Sequence, residues 1–143
     1  MSTTLTLFGI DFGTRKIGIA VGQTLTRTAM GIAVLAVRNG EPDWIEFDKL
    51  VKQWKPGAFV VGMPYNMDGS ESDMSEQTRK FSTTLTTRYM CPCHPIDERL
   101  STRAAKEISR NNAQLRGKRP NDRAQVDAMA AQLLLESWFD ANY

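Results

Sequence analysis

The stretch that decides the fold class is residues 5–22, LTLFGIDFGTRKIGIAVG. Residues 5–11 and 16–22 are rich in strand-forming residues, and Gly13-Thr14-Arg15 between them is typical of a tight turn. Residues 31–38 add a third pattern of the same kind. Three successive short strands predict an antiparallel meander at the start of the chain.

Helices and strands alternate after residue 38. Asp43, followed three residues later by Glu46, is typical of a helix start. Residues 58–63 form a continuous apolar run, which favours a buried parallel strand. The remaining predictions are a helix over 74–89, a strand over 91–97, a short helix from Ser101 or Thr102 to Ile108, and a helix over 122–140. The apolar face of the last helix is predicted to contain Val126, Ala130, Leu133, Leu134 and Ser137.

Strands that are fed through helices join the same sheet in parallel. We therefore predict one α/β domain over residues 1–143. Its mixed five-stranded sheet has three antiparallel strands followed by parallel additions, with helices on its faces.

Composition narrows the class of protein further. The chain of 143 residues is 24% charged with a net charge of +2, which is ordinary for a globular domain. The sequence has neither an apolar run of roughly 20 residues nor a secretory signal pattern. Cys91 and Cys93 stand too close together for an ordinary disulfide framework, so we expect a cytoplasmic location.

Three acidic positions suggest chemistry. Asp11 ends an apolar strand, where a buried carboxylate is costly unless it binds a cation or accepts hydrogen bonds from the following turn. Glu98 follows the last strand, and Asp127 lies towards the packed side of the final helix. Each has an ordinary alternative: a turn cap for Asp11, a solvated strand end for Glu98, and an ion pair with Arg123 for Asp127.

Together, the three acids are placed to meet at one edge of the sheet. A set of carboxylates without a cysteine–histidine cluster suits Mg²⁺ or Mn²⁺. Such a site can activate water for phosphodiester hydrolysis.

The same residues carry a resemblance to the YqgF/RuvX family, which is related to RuvC. It rests on four segments in order: Ile10-Asp11-Phe12-Gly13, Val61-Gly62-Met63-Pro64 with Asn66 to Gly69, Asp97-Glu98-Arg99-Leu100-Ser101-Thr102, and Val126-Asp127 with Ala130-Ala131. The third segment is the most specific. The similarity spans essentially the whole chain.

The resemblance implies an RNase H-like fold and nuclease activity, either in 5′-end maturation of precursor 16S ribosomal RNA or in Holliday-junction resolution. By matching motif positions it makes Asp11, Glu98 and Asp127 the catalytic metal ligands, with Asp97 as a supporting acid. Arg123 stands where a lysine is common, and the last helix offers one acid where RuvC has two.

The expected partner is a nucleic acid, either precursor ribosomal RNA or branched DNA. Basic side chains are needed to bind its phosphates. A solvated loop is the alternative for the basic residues near 116–119. The predicted contacts are Arg15, Lys16, Arg99, Arg116, Lys118, Arg119 and Arg123.

Aromatic and sulfur-containing residues have simpler interpretations. Two thiols and the single histidine, His94, do not complete a usual zinc site, so packing is expected for Cys91 and Cys93. The three tryptophans fall on apolar helical faces and are predicted core residues. Phe12 and Tyr65 are the better candidates for stacking on bases.

Two other classes of protein compete with a nuclease. Asp11-Phe12-Gly13-Thr14 also resembles the phosphate loop of actin-like kinases, but that fold closes two domains over ATP and this chain supplies one. A non-catalytic module that binds nucleic acid or ribosomal precursor particles stays open, as does the choice between monomer and homodimer.

Overall fold

The computed structural model describes residues 4–66, 68–98 and 128–143. Its strands are β1 (Thr6–Phe12), β2 (Lys16–Gln23), β3 (Thr28–Arg38), β4 (Glu41–Pro42), β5 (Ala58–Met63) and β6 (Cys93–Asp97). Its helices are α1 (Trp44–Trp54), α2 (Asp73–Tyr89) and α3 (Met129–Asn142). The predicted helix from residue 101 to 108 and the predicted start of the last helix at residue 122 lie outside the described residues.

One mixed sheet has the strand order β4-β3-β2-β1-β5-β6. The first three strands pair antiparallel, whereas β5 joins β1 in parallel and β6 joins β5 in parallel. The predicted mixed α/β sheet is therefore confirmed. The described part of the chain has six strands instead of five, because a two-residue turn brings β4 back against β3.

That extra strand has a local cause in the sequence. Asn39 and Gly40 have φ angles of +55° and +80°, the backbone that a two-residue hairpin turn requires. Arg38 and Glu41 become register partners across the turn. The Asn-Gly pair therefore ends β3 and turns the chain back, so that the residues after it pair with β3.

The two faces of the sheet bury different helices. Phe8, Ile10 and Phe12 of β1 belong to a core cluster that also contains Phe47 of α1 and Phe81 of α2. Leu7, from the alternate positions of β1, belongs to a second cluster with Leu134, Leu135 and Phe139 of α3. Side chains alternate along a strand, so Asp11 points to the same face as Leu7, which is the α3 side.

The start of α1 confirms the predicted capping residue. The Asp43 side chain accepts hydrogen bonds from the backbone amides of Ile45 and Glu46 at 3.1 and 3.3 Å. Phe47 is fully buried, and Trp44 and Trp54 pack partly buried against the same cluster. No described helix is long and apolar enough to cross a membrane.

Candidate active site

The candidate site lies where three parallel strands end. β1, β5 and β6 run in the same direction, so Asp11, Met63 and Asp97 reach the same edge of the sheet. The backbone amide of Glu98, just beyond β6, donates to the Met63 carbonyl at 3.0 Å. This bond extends the strand pairing and fixes the backbone of Glu98 beside the end of β5.

Asp11 and Glu98 meet at this edge. Their side chains are hydrogen-bonded to each other, and both are partly buried. Their strands are separated by β5, so the contact crosses one strand. The sequence placed these two acids at one edge, and the structure brings them into direct contact.

Glycines flank Asp11 on both neighbouring strands. Gly18 is its register partner on β2, and Gly62 follows Val61, the partner of Ile10, on β5. Neither glycine carries a side chain that could stand between the carboxylates. At Gly62, a Cβ would meet Leu134 of α3 at 2.7 Å, so the helix closely approaches the sheet beside the acid pair.

The environment makes it costly for both acids to be charged. The pKa of Glu98 is raised to about 8, chiefly by burial and also by the hydrogen bond and negative charge of Asp11 and by the charge of Asp97. Burial also raises the pKa of Asp11, while its bond with Glu98 and the charge of Lys16 oppose that rise. A protonated Glu98 donating to an ionised Asp11 is the arrangement that these shifts favour.

The remaining predicted site residues fall in two groups. Arg15 and Lys16 lie at the β1–β2 turn, exposed and close to Asp11 along the chain, and Lys16 acts on the Asp11 carboxylate through its charge. The other predicted residues lie outside the described residues: Arg99, Arg116, Lys118, Arg119, Arg123 and Asp127. Among the described residues, no three His, Cys, Asp or Glu side chains gather as a metal-binding group.

The structure overturns one aromatic prediction. Phe12 is only 4% exposed and stacks on Phe81 with ring centroids 4.7 Å apart, on the face opposite Asp11. Strand alternation explains this, because the residue after Asp11 must point the other way. Phe12 is therefore a core residue, and Tyr65, partly buried in the loop after β5, stays a stacking prediction.

The side chains of Cys91 and Cys93 lie on one face of the sheet, and that of His94 lies on the other. Cys91 and Cys93 pack against the core on the α1–α2 side, and burial raises the pKa of the Cys93 thiol. His94 stacks on Trp138 of α3 on the other side, with ring centroids 5.2 Å apart. Packing, as predicted, accounts for all three side chains.

A mixed sheet in this strand order with helices on its faces is an RNase H-like α/β fold. Solved structures share this fold: RuvC of Thermus thermophilus in complex with a Holliday junction substrate has a TM-score of 0.53 at 17% identity, covering 96% of this chain and 94% of that chain. The fowlpox virus Holliday junction resolvase has a TM-score of 0.52 at 11% identity, covering 97% and 100%. At such identities the likeness concerns the fold alone.

Sequence relatives define the family. A family model described as "RuvX: Holliday junction resolvase" matches residues 5–141. A protein of Azotobacter vinelandii named "Putative pre-16S rRNA nuclease" is 49% identical over 96% of this chain and 95% of its own length. A protein of the same name from Pseudomonas putida is 46% identical over 95% of both. The chain belongs to the RuvX family.

Proposed function

We propose that this chain is a metal-dependent nuclease that hydrolyses phosphodiester bonds during 5′-end maturation of precursor 16S ribosomal RNA in the cytoplasm. The observation that carries the proposal is the hydrogen-bonded pair Asp11 and Glu98 at the ends of β1 and β6. The substrate comes from the name carried by relatives that are almost half identical over nearly the full length.

The acid pair fits a hard divalent cation. Two carboxyls held together away from water resist carrying two negative charges, and a cation between them would remove that penalty. Oxygen ligands of this kind suit Mg²⁺ or Mn²⁺. Asp11 and Glu98 would hold the cation, and Asp127, on the segment before α3, is the proposed third ligand.

Asp11 and Glu98, once ionised, would hold the cation at the sheet edge and orient water there. When bound, the cation would supply Lewis-acid stabilisation and lower the pKa of water. Lys16 and Arg15 lie on the adjacent turn, where they can contact the phosphate backbone beside the acids. Arg99, Arg116, Lys118, Arg119 and Arg123 are proposed as further contacts with the nucleic acid.

The first experiment measures cleavage of 5′-extended precursor 16S RNA and of a four-way DNA junction in Mg²⁺ or Mn²⁺. We expect Asp11→Asn to reduce RNA cleavage at least about a hundredfold, because losing a ligand should cost more than losing the groups that support one. Asp140→Asn is the control, since this exposed aspartate lies at the far end of α3. Full activity in Asp11→Asn would refute the assigned site.

The description of the family supports a second candidate, resolution of Holliday junctions. Cleavage of the DNA junction without cleavage of the RNA would favour it. Binding of RNA without any cleavage, unchanged in Asp11→Asn, would instead favour a non-catalytic binding module.

A further inference from the structure

α3 sits on a row of glycines. Four strands beneath it, β1, β2, β3 and β5, each present a glycine to it. A Cβ would stand 2.7 Å from the Ala131 carbonyl at Gly9, 2.7 Å from the Ala128 Cβ at Gly31, and 2.8 Å from the Phe139 ring at Gly22. Gly62 and Leu134 form the fourth contact of this kind. The glycines bring the helix close to the sheet.

One side chain of α3, that of Gln132, is hydrogen-bonded to the backbone of β3. β3 contains an irregularity opposite Ile19 and Ala20, where Ala33 and Gly31 are the respective partners and Ile32 is the extra residue. Beside it, the Gly31 amide donates a hydrogen bond to Oε1 of Gln132 at 3.2 Å. β3 pairs with β4 only at Val37 and Arg38, so β4 does not provide an acceptor at Gly31.

The other end of the Gln132 amide is also held. Its Nε2 donates to Oε1 of Glu136, one turn later on α3, at 3.1 Å. With both ends bonded, the amide has one orientation, and Oε1 is directed to the strand. Gln132 and Glu136 are both partly buried, which strengthens these bonds relative to exposed ones.

The position of α3 matters to the acid pair. The Ala131 carbonyl lies over Gly9, two residues before Asp11 on the same face of β1, and Leu134 lies over Gly62, beside Asp11. α3 therefore forms a wall of the site.

We propose that Gln132 is a positioning residue for the metal site: its bridge from the Gly31 amide to Glu136 holds α3 in one position against the sheet beside Asp11, and cation binding by Asp11 and Glu98 depends on that position. This inference rests on the proposed function. It assigns Gln132 no contact with substrate or metal, and it predicts an effect on cation affinity that exceeds the effect on folding.

The experiment measures Mn²⁺ affinity from the rise in Tm with Mn²⁺ concentration, beside cleavage of the precursor RNA. Gln132→Met keeps the length of the side chain and removes both hydrogen bonds. We expect its Mn²⁺ affinity to fall about tenfold, as for other groups that support metal ligands, while circular dichroism stays that of the wild type. Gln53→Met on the exposed surface of α1 is the matched control.

An exchange of the two side chains tests the bridge itself. In Gln132→Glu combined with Glu136→Gln, the carboxylate accepts from the Gly31 amide and from the new amide, so both hydrogen bonds return with the donor and acceptor of the second reversed. We expect Mn²⁺ affinity within about twofold of the wild type. Wild-type affinity in Gln132→Met, or no recovery in the folded double variant, would overturn the inference.

The two proposals fail differently. If the wild-type protein shows neither Mn²⁺-dependent stabilisation nor cleavage, the proposed function is wrong and this inference is refuted with it. If the wild type binds Mn²⁺ and Gln132→Met binds it equally well, only the positioning role is refuted.

Discussion

At the scale of single residues, the free-energy cost of holding two carboxyls close together and partly buried marks Asp11 and Glu98 as candidate functional residues. Glu98 and Asp11 are held together by strands that leave neither carboxyl fully hydrated, and Asp97 adds a third negative charge nearby. In a fold selected for stability alone, an apolar pair would avoid this cost. A site that binds a cation gives a reason for such a pair.

The pH dependence of stability tests this cost. The pKa of Glu98 rises from 4.5 to about 8 on folding, so the group stabilises the folded state below pH 4.5 and loses that contribution as pH rises to about 8. Without divalent cations, we expect the Tm of the wild type to fall over this range and that of Glu98→Gln to fall less.

Thermal melts in EDTA at pH 5, 7 and 9 measure the effect. Glu41→Gln, at an exposed glutamate of β4, is the control and should follow the wild type. Parallel Tm profiles for Glu98→Gln and the wild type would show that Glu98 is not under electrostatic strain.

At the scale of elements, α3 packs through a face that the sequence predicted slightly wrongly. Periodicity indicated Ala130, Leu133 and Ser137 beside Leu134, whereas the buried residues are Ala131, Leu134, Leu135 and Phe139. On a helix rich in alanine and leucine, several faces are apolar enough to be buried. The glycines of the sheet determine which of these faces is buried, because α3 can approach the sheet closely only where a strand carries no side chain.

Gly9→Ala tests this packing. Its Cβ would stand 2.7 Å from the Ala131 carbonyl and 2.7 Å from the Leu135 Cβ, both rigid parts of α3. We expect a loss of about 1–3 kcal/mol in the free energy of unfolding, measured in urea, as for other overpacked cores. Gly57→Ala meets only the flexible end of Leu5, so its loss should be smaller.

Equal losses in the two variants would mean that α3 adjusts freely to the sheet. That result would also argue against the positioning role of Gln132, which requires α3 to have one preferred position on the sheet.

At the scale of the whole molecule, charge is distributed unevenly. A net charge of +2 gives little general attraction to nucleic acid, so binding must depend on local clusters. One cluster is Arg15 and Lys16 beside the acid pair, and the other is predicted in the basic segment that contains Arg116, Lys118 and Arg119.

We expect the triple substitution Arg116→Ala, Lys118→Ala and Arg119→Ala to weaken RNA binding. The slope of log affinity against log salt concentration should become shallower by about 2, because each phosphate neutralised on single-stranded RNA adds roughly 0.7 to the slope. Titrations at several salt concentrations measure it, with Lys49, Lys52 and Lys55 changed to Ala as the charge-matched control. An unchanged slope would mean that Arg116, Lys118 and Arg119 do not contact the phosphates of the RNA.

Local sequence patterns were sufficient to predict the alternation of strands and helices, the helix cap at Asp43, and acidic residues at the ends of β1 and β6. These features follow from local causes: side-chain periodicity, turn residues and the hydrogen bonds of a helix start. The folded structure was needed to show that Asp11 contacts Glu98, that Phe12 belongs to the opposite face, and which face of α3 is buried. Those outcomes depend on strand order, register and close approach across the sheet, which arise from contacts between residues far apart in the chain.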